Sequence, residues 1–250
     1  MRPAVTARTA AAGGWRGTCA ICLDALPLGD GLQRLYECCC RKICKACSET
    51  CEEYDSRCPL CRAPLSKTMA EWLQRLRKHV SDGNADAQEL LGNVYKEGEL
   101  GVKKSVKRAV ELYTLAAAQG QPQAQSKLGC CYRHGNGVCI DVKKALEYCL
   151  ASANQGYAEA QYNLGTLYHE GRGVEVSHDE AVKWYTLAAD QGDSNALYNL
   201  GSCYVNGHGV AMDLAEALPL FRRAASMGHP EATVMVSRIA QHLGGTSSSV

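Results

Sequence analysis

Ten of the fifteen cysteines lie between positions 19 and 61, and their spacing is suited to binding metal. C-x2-C pairs occur three times, and three consecutive cysteines stand between the first pair and the second: Cys19, Cys22, Cys38, Cys39, Cys40, Cys44, Cys47, Cys58 and Cys61. A C-x2-C turn directs two thiolates at one tetrahedral zinc ion, and four thiolates close the site. Three pairs and two members of the triplet would therefore hold two structural zinc ions.

Two other uses of clustered cysteines fit this chain less well. Disulfide scaffolds belong to small secreted chains, and the first 18 residues lack the apolar core of a secretory signal. A redox C-x2-C pair needs a thioredoxin-like βαβ setting, which the sequence does not predict. The remaining cysteines are expected to be small apolar residues of helices: Cys130, Cys131, Cys139, Cys149 and Cys203.

Over residues 19–62 the cysteine pattern resembles the RING finger. In that family the ligand pairs interleave in a cross-brace, which implies a first zinc ion bound by Cys19, Cys22, Cys44 and Cys47. The second ion would take two members of the triplet together with Cys58 and Cys61. The histidine that usually stands fourth among the ligands is absent, so the resemblance is to an all-cysteine variant.

The triplet leaves one ligand open. Cys38 is expected to bind zinc, and Cys40 is preferred as its partner because one residue separates the two. Cys39 stays an alternative, since all-cysteine RING fingers often place the fourth ligand five residues before the fifth. Cys51 falls outside the pattern and is expected to be free.

RING fingers mostly act as ubiquitin ligases, which hold a ubiquitin-charged conjugating enzyme while a substrate lysine attacks its thioester. The resemblance implies a docking surface formed by Ile21 inside the first pair, Pro59 after the seventh ligand and Arg62 after the eighth. Cys51 departs from the pattern, because many active members carry a large apolar residue there. The alternative is therefore a non-catalytic zinc-binding adaptor. Neither function requires a covalent catalytic residue.

Other classes of function find little support in the composition. The seven histidines form no triad-like motif with serine or cysteine, and no glycine-rich phosphate loop is present. A net charge of +1 gives no electrostatic argument for nucleic acid as a partner. No apolar run reaches the roughly 18 residues that a membrane span requires.

We expect a cytoplasmic protein, with nuclear or organellar locations open. Residues 1–18 are expected to be a disordered tail, with a transit peptide as the alternative.

The remainder of the chain repeats with a period of 36 or 37 residues. The dipeptide Leu-Gly recurs with Tyr three residues after each glycine, and the glycines are Gly92, Gly129, Gly165 and Gly201. A glycine-rich turn ending in Gly-Val follows each time. A helical stretch comes next, with alanine and a larger residue four positions on: Ala109/Tyr113, Ala145/Cys149, Ala181/Tyr185 and Ala217/Phe221. The Leu-Gly glycine is expected to allow paired helices to approach closely.

This pattern is similar to the tetratricopeptide repeat, and its longer turn resembles the Sel-like repeat in particular. The predicted fold class is mainly α, with a small zinc-stabilised cross-brace RING module followed by an α-helical repeat solenoid. Four repeats are predicted at 84–121, 122–157, 158–193 and 194–229. A capping helix is expected within 67–83, a closing helix at 230–243 and a disordered tail at 244–250. Such arrays are adaptor scaffolds, which implies a protein partner on the solenoid.

The zinc content provides a direct test of the cysteine pattern. Native mass spectrometry should find two zinc ions per chain, because eight thiolates are available in cross-braced order. Cys58→Ser should release one ion and unfold the zinc module, because a 44-residue module depends on metal for its stability. Cys139→Ser, outside the cluster, serves as the control. A content of one ion, or metal-free folding of residues 19–62, would disprove the two-site prediction.

Overall fold

The computed structural model describes residues 33–36, 41–44 and 68–245, with side chains described over 68–242. These residues form one two-stranded antiparallel sheet and ten helices. The elements are β1 Gln33–Tyr36, β2 Arg41–Cys44, α1 Met69–Ser81, α2 Ala85–Glu97, α3 Val106–Ala118, α4 Pro122–His134, α5 Val142–Asn154, α6 Ala158–Glu170, α7 His178–Asp190, α8 Ser194–Asn206, α9 Leu214–Ser226 and α10 Ala232–Gly245. In the sheet, Gln33 pairs with Cys44 and Tyr36 with Arg41.

The chain divides into two compact units, Met1–Asp141 and Val142–Val250. In the first unit, helices α1 to α4 each pack on the next along the chain, and in the second unit helices α5 to α10 do the same. The described part of the protein is therefore a mainly α-helical repeat solenoid. Within it, no helix is both long and apolar enough to cross a membrane.

The helices begin at positions that follow the repeat period. The second helices of the four repeats, α3, α5, α7 and α9, begin 36 residues apart. Ser105 and Ser177 cap two of them, each accepting a hydrogen bond from the backbone N–H three residues on, and Asp213 caps a third. Glycines in the left-handed region follow these helices, at Gly120, Gly156, Gly192 and Gly228, as predicted for their C-termini.

The Leu-Gly glycine lies against the large side chain of the next helix. A Cβ on Gly92 would come within 2.5 Å of Tyr113, and one on Gly165 within 2.7 Å of Tyr185. These tyrosines are 0% and 1% exposed, and Phe221 is fully buried against the glycine of the fourth repeat. The predicted close approach of paired helices is confirmed in these three repeats.

A hydrogen-bonded glutamine pair joins the two helices of a repeat and was not expected from the sequence. Gln119 Nε2 donates to Gln88 Oε1 at 2.8 Å, and Gln191 donates to Gln161 at 2.6 Å in the third repeat. Because the acceptor side chains are buried, these bonds satisfy polar groups that would otherwise destabilise the core.

Helix α1 packs on the first repeat through its apolar face. Leu73 and Leu76 are buried against Ala87, Leu91 and Val94 of α2. Trp72 and Val80 pack beside this cluster and are partly buried, so they extend the contact that the leucines make.

A proline inside a helix favours a late start or a kink. Helix α9 nevertheless begins at Leu214, at the usual repeat position, and Pro219 lies inside it on its exposed face.

The recurring tyrosines pack at the edge of the core. Tyr95, Tyr168 and Tyr204 lie against the buried clusters and are half-buried, as is Tyr132.

Removing the leucine at the centre of the α1 contact should destabilise the first unit. Leu76→Ala should lower the free energy of unfolding by about 2–5 kcal/mol, because the side chain is fully buried and its loss leaves a cavity. Leu115→Ala is the matched control, since Leu115 is 53% exposed and should change stability by less than about 0.5 kcal/mol. Chemical denaturation followed by circular dichroism measures both. Equal effects would show that α1 does not contribute to this core.

Candidate functional site

The residues predicted for zinc binding and for docking the conjugating enzyme lie outside the described residues. Ile21, Pro59, Arg62 and all but one of the predicted ligands fall there, and of Cys44 the structure describes only the backbone, as the last residue of β2. Their roles stay predictions.

A polar cavity of about 310 Å³ opens between α6 and α8 in the second unit. These are the first helices of the third and fourth repeats. Helix α6 contributes Tyr162, Thr166, His169 and Glu170, and α8 contributes Asn199, Ser202, Cys203 and Asn206. Tyr185 of α7 and His208 of the loop after α8 complete the lining.

The buried Tyr185 closes the base of this cavity. Its hydroxyl donates to Thr166 Oγ1 at 3.4 Å. Burial raises the pKa of Tyr185 to about 12, against the opposing effect of its hydrogen bonds with Thr166 and Asn199. Tyr185 is therefore a neutral hydrogen-bonding group at physiological pH.

The residues that line the cavity include no activated nucleophile. Their polar groups are suited to binding a ligand. Burial raises the pKa of the Cys203 thiol to about 11, so the thiolate is scarce at neutral pH. The Ser202 hydroxyl donates to the Tyr198 carbonyl, and the Thr166 hydroxyl to the Tyr162 carbonyl. Asparagine amides and hydroxyl oxygens remain, and these groups can bond to the backbone of a peptide.

The polar face of α8 was detectable in the sequence but was not predicted. Asn199, Ser202 and Asn206 recur at helical spacing, opposite the buried Leu197 and Leu200. A polar stripe of this kind on a repeat helix is a signal for a binding surface.

Three histidines meet at one edge of the cavity. His169 is the penultimate residue of α6, His178 is the first residue of α7, and His208 follows α8. One ring nitrogen from each lies within 4.8 Å of the others. The rings of His178 and His208 are stacked with centroids 4.5 Å apart, and the His169 ring lies 5.0 Å from that of His178. These histidines are separated in the sequence, and their contact depends on the turns between the helices.

The first unit carries a different polar contact on the same face of its helices. Lys127 Nζ of α4 lies 3.2 Å from Glu89 Oε1 of α2, with both side chains largely buried. Glu89 also accepts a hydrogen bond from Asn93, whose own oxygen accepts one from Tyr113. The first helices of the repeats thus present polar groups whose chemistry differs from one repeat to the next.

The fold defines a protein built of helical repeats. The sequence model of the Sel1 repeat matches residues 85–121, 122–157, 158–193 and 194–229, more than half of the chain. The chain therefore belongs to the Sel1 repeat family. The match begins after the cysteine-rich segment.

Solved structures of two bacterial proteins resemble this chain. A Sel1 repeat protein from Oxalobacter formigenes is 32% identical with a TM-score of 0.64, over 69% of this chain and 68% of that one. A protective antigen of uropathogenic Escherichia coli with the same repeat fold is 31% identical with a TM-score of 0.65, over 72% of this chain and 38% of that one.

A curated relative is the chitin synthase regulatory factor 3 of Schizosaccharomyces pombe. It is 35% identical over 71 residues, which are 28% of this chain and 8% of the yeast protein. The similarity thus covers a small part of that relative.

Alkylation should distinguish the cavity cysteine from an exposed one. Cys203 should react with iodoacetamide at pH 8 at least roughly 100-fold more slowly than Cys139, because a pKa near 11 lowers its thiolate fraction and burial blocks access. Cys139 is exposed and serves as the internal control. Mass spectrometry of pulse-labelled protein measures both rates, and labelling after denaturation should remove the difference. Similar rates in the native protein would show that Cys203 is accessible and ionised.

Proposed function

We propose that this protein is a RING-type ubiquitin ligase, which binds a charged conjugating enzyme through its zinc module and recruits protein substrates with its Sel1 repeats. The observation that carries the proposal is the joint presence of the eight-thiolate pattern and Ile21, Pro59 and Arg62 at the docking positions.

The position of β2 supports two interleaved zinc sites. The strand spans Arg41–Cys44, which is about 10 Å for three residue steps along an extended chain. Two thiolates on one zinc ion lie only about 3.8 Å apart, because each Zn–S bond is about 2.3 Å. A zinc ion bound by the cysteine triplet, which ends next to Arg41, would be out of reach of Cys44. This distance supports the proposal that the triplet and Cys44 bind different ions, as the cross-brace of the RING resemblance implies.

The connection between the zinc module and the repeats is short. Five residues separate Arg62 from Thr68, the N-cap of α1, so the connection spans at most roughly 20 Å. Helix α1 packs on the first repeat through Leu73 and Leu76. A zinc module tethered in this way would stay close to the first repeat.

The cavity between α6 and α8 is the proposed contact for the substrate. Its asparagine and hydroxyl groups can bond to peptide amides and carbonyls, and the half-buried Tyr162 offers an aromatic surface. Membership of the Sel1 repeat family is consistent with a protein ligand.

The alternative is a non-catalytic zinc-binding adaptor. Cys51 favours it, because a cysteine offers less contact area than the large apolar residue that many active RING fingers carry at this position.

A ubiquitin-chain assay with a panel of conjugating enzymes tests the proposal. Wild-type protein should form ubiquitin conjugates with at least one enzyme. Ile21→Ala should weaken binding of that enzyme by about 2 kcal/mol, roughly 30-fold, because one apolar anchor of a small interface is lost. Arg62→Ala should slow ubiquitin transfer more than binding. Wild-type protein inactive with every enzyme would favour the adaptor.

A variant of the repeats separates the two halves of the function. Asn206→Arg places a long cation in the cavity and should abolish modification of a substrate bound there, while ligase self-modification continues. Asn195→Arg is the matched control, because Asn195 is exposed on the same helix and does not line the cavity. Equal substrate modification in both variants would show that this cavity is not the substrate contact.

A further inference from the structure

The three histidines at the edge of the cavity are brought together by the repeat turns. Ser177 N–H donates to the Tyr168 carbonyl at 3.0 Å, which places the following residues, His169 and His178, side by side. A Cβ on Gly209 would overlap the His178 carbonyl, so this turn, with φ of +72° at Gly209, lies directly on the start of α7. That contact places His208, the residue before Gly209, next to His169 and His178.

The histidines are not needed for these turns to form. The turn of the second repeat makes the same contact through Gly137 and Val106, and that of the third repeat through Gly173 and Val142. His178 thus occupies a position where the first two repeats have valine, Val106 and Val142, and the fourth has Leu214. One period earlier, His169 and His208 correspond to Arg133 and Arg172. The fold is built without imidazoles at these positions, so their meeting here requires a separate explanation.

Two of the ring nitrogens are buried and lack hydrogen-bond partners. They are Nδ1 of His169 and Nδ1 of His178. A buried polar atom without a partner costs free energy, and an ion that accepts its lone pair would remove that cost.

The donor set and its spacing define the class of ion. Imidazole nitrogens suit zinc, copper and nickel, whereas magnesium and calcium prefer oxygen ligands. Three nitrogens bound to zinc at about 2.0–2.1 Å would lie about 3.4 Å apart. The present limit of 4.8 Å requires each nitrogen to move about 1 Å. The stacked rings of His178 and His208 must also rotate out of parallel, because the lone pair of an imidazole nitrogen lies in the ring plane. The adjoining cavity leaves space for a fourth ligand such as water.

We propose that His169, His178 and His208 form a binding site for a divalent transition-metal ion, separate from the zinc ions of the cysteine-rich segment. The site has three protein ligands and one open position, so a metal bound there could also accept a donor atom from a ligand in the cavity. It is independent of the proposed ligase function.

Titration of the full chain with Zn²⁺ after its cysteine sites are saturated tests the site. Wild-type protein should bind one further equivalent, and long-range ¹H–¹⁵N spectra should show coordination shifts for these three imidazoles only. His178→Gln and His208→Gln should each weaken this binding at least about 100-fold, since even outer-shell changes cost 10–100-fold. His134→Gln is the matched control, because His134 is exposed at the end of α4 and outside the cluster.

The outcomes are distinguishable even where one variant is unstable. Thermal melting of each variant without added zinc identifies a folding defect, and the loop position of His208 makes its variant the safer one. Zinc should raise the melting temperature of wild-type protein and His134→Gln but not of the two cluster variants. The proposal is overturned if no further equivalent binds, if His208→Gln binds zinc like wild type, or if the imidazoles titrate with pH but do not respond to zinc.

Discussion

The contact between a glycine and a buried aromatic ring sets the distance between the two helices of a repeat. Tyr113, Tyr185 and Phe221 lie so close to the Leu-Gly glycines that a single added Cβ would displace the ring. Glycine inside a helix costs about 1 kcal/mol relative to alanine. Burying an aromatic side chain of 150–250 Å² contributes about 4–6 kcal/mol, so the exchange favours the folded repeat.

Because this core uses so few positions, the other faces of the helices are free to carry function. The first helices of the repeats present a Glu89–Lys127 ion pair in one unit and a polar cavity in the other. The turns are constrained at their glycines but not at the residues between them, so imidazoles can replace valine and arginine at equivalent positions. Repetition thus stabilises the fold, while single repeats carry different polar groups.

The two parts of the chain would obtain stability from different sources. The repeats bury alanine, leucine and aromatic side chains against their neighbours, and α1 extends this burial to the start of the first repeat. A cysteine-rich segment of 44 residues is too short for a sufficient apolar core, which is why metal is the proposed source of its stability. In the proposed ligase, α1 connects these two kinds of structure.

The sequence by itself determined the helical repeats. The Leu-Gly dipeptides, the alanines with a larger residue four positions on and the capping glycines recur every 36 or 37 residues. Local propensity and periodicity therefore pointed to the same helices, with Pro219 as the exception. The face of α1 was predictable for the same reason, although the sequence could not rank Trp72 below Leu76 in burial.

Only the tertiary structure decided where the binding groups meet. His178 and His208 are thirty positions apart in sequence, and nothing local relates them. Their rings stack because a glycine without a side chain lets one turn rest on the backbone of the preceding repeat. The cavity has the same origin, since its lining comes from three helices whose spacing depends on packing between repeats. Periodicity specifies which residues face outward, and the close approach of backbones specifies which of them touch.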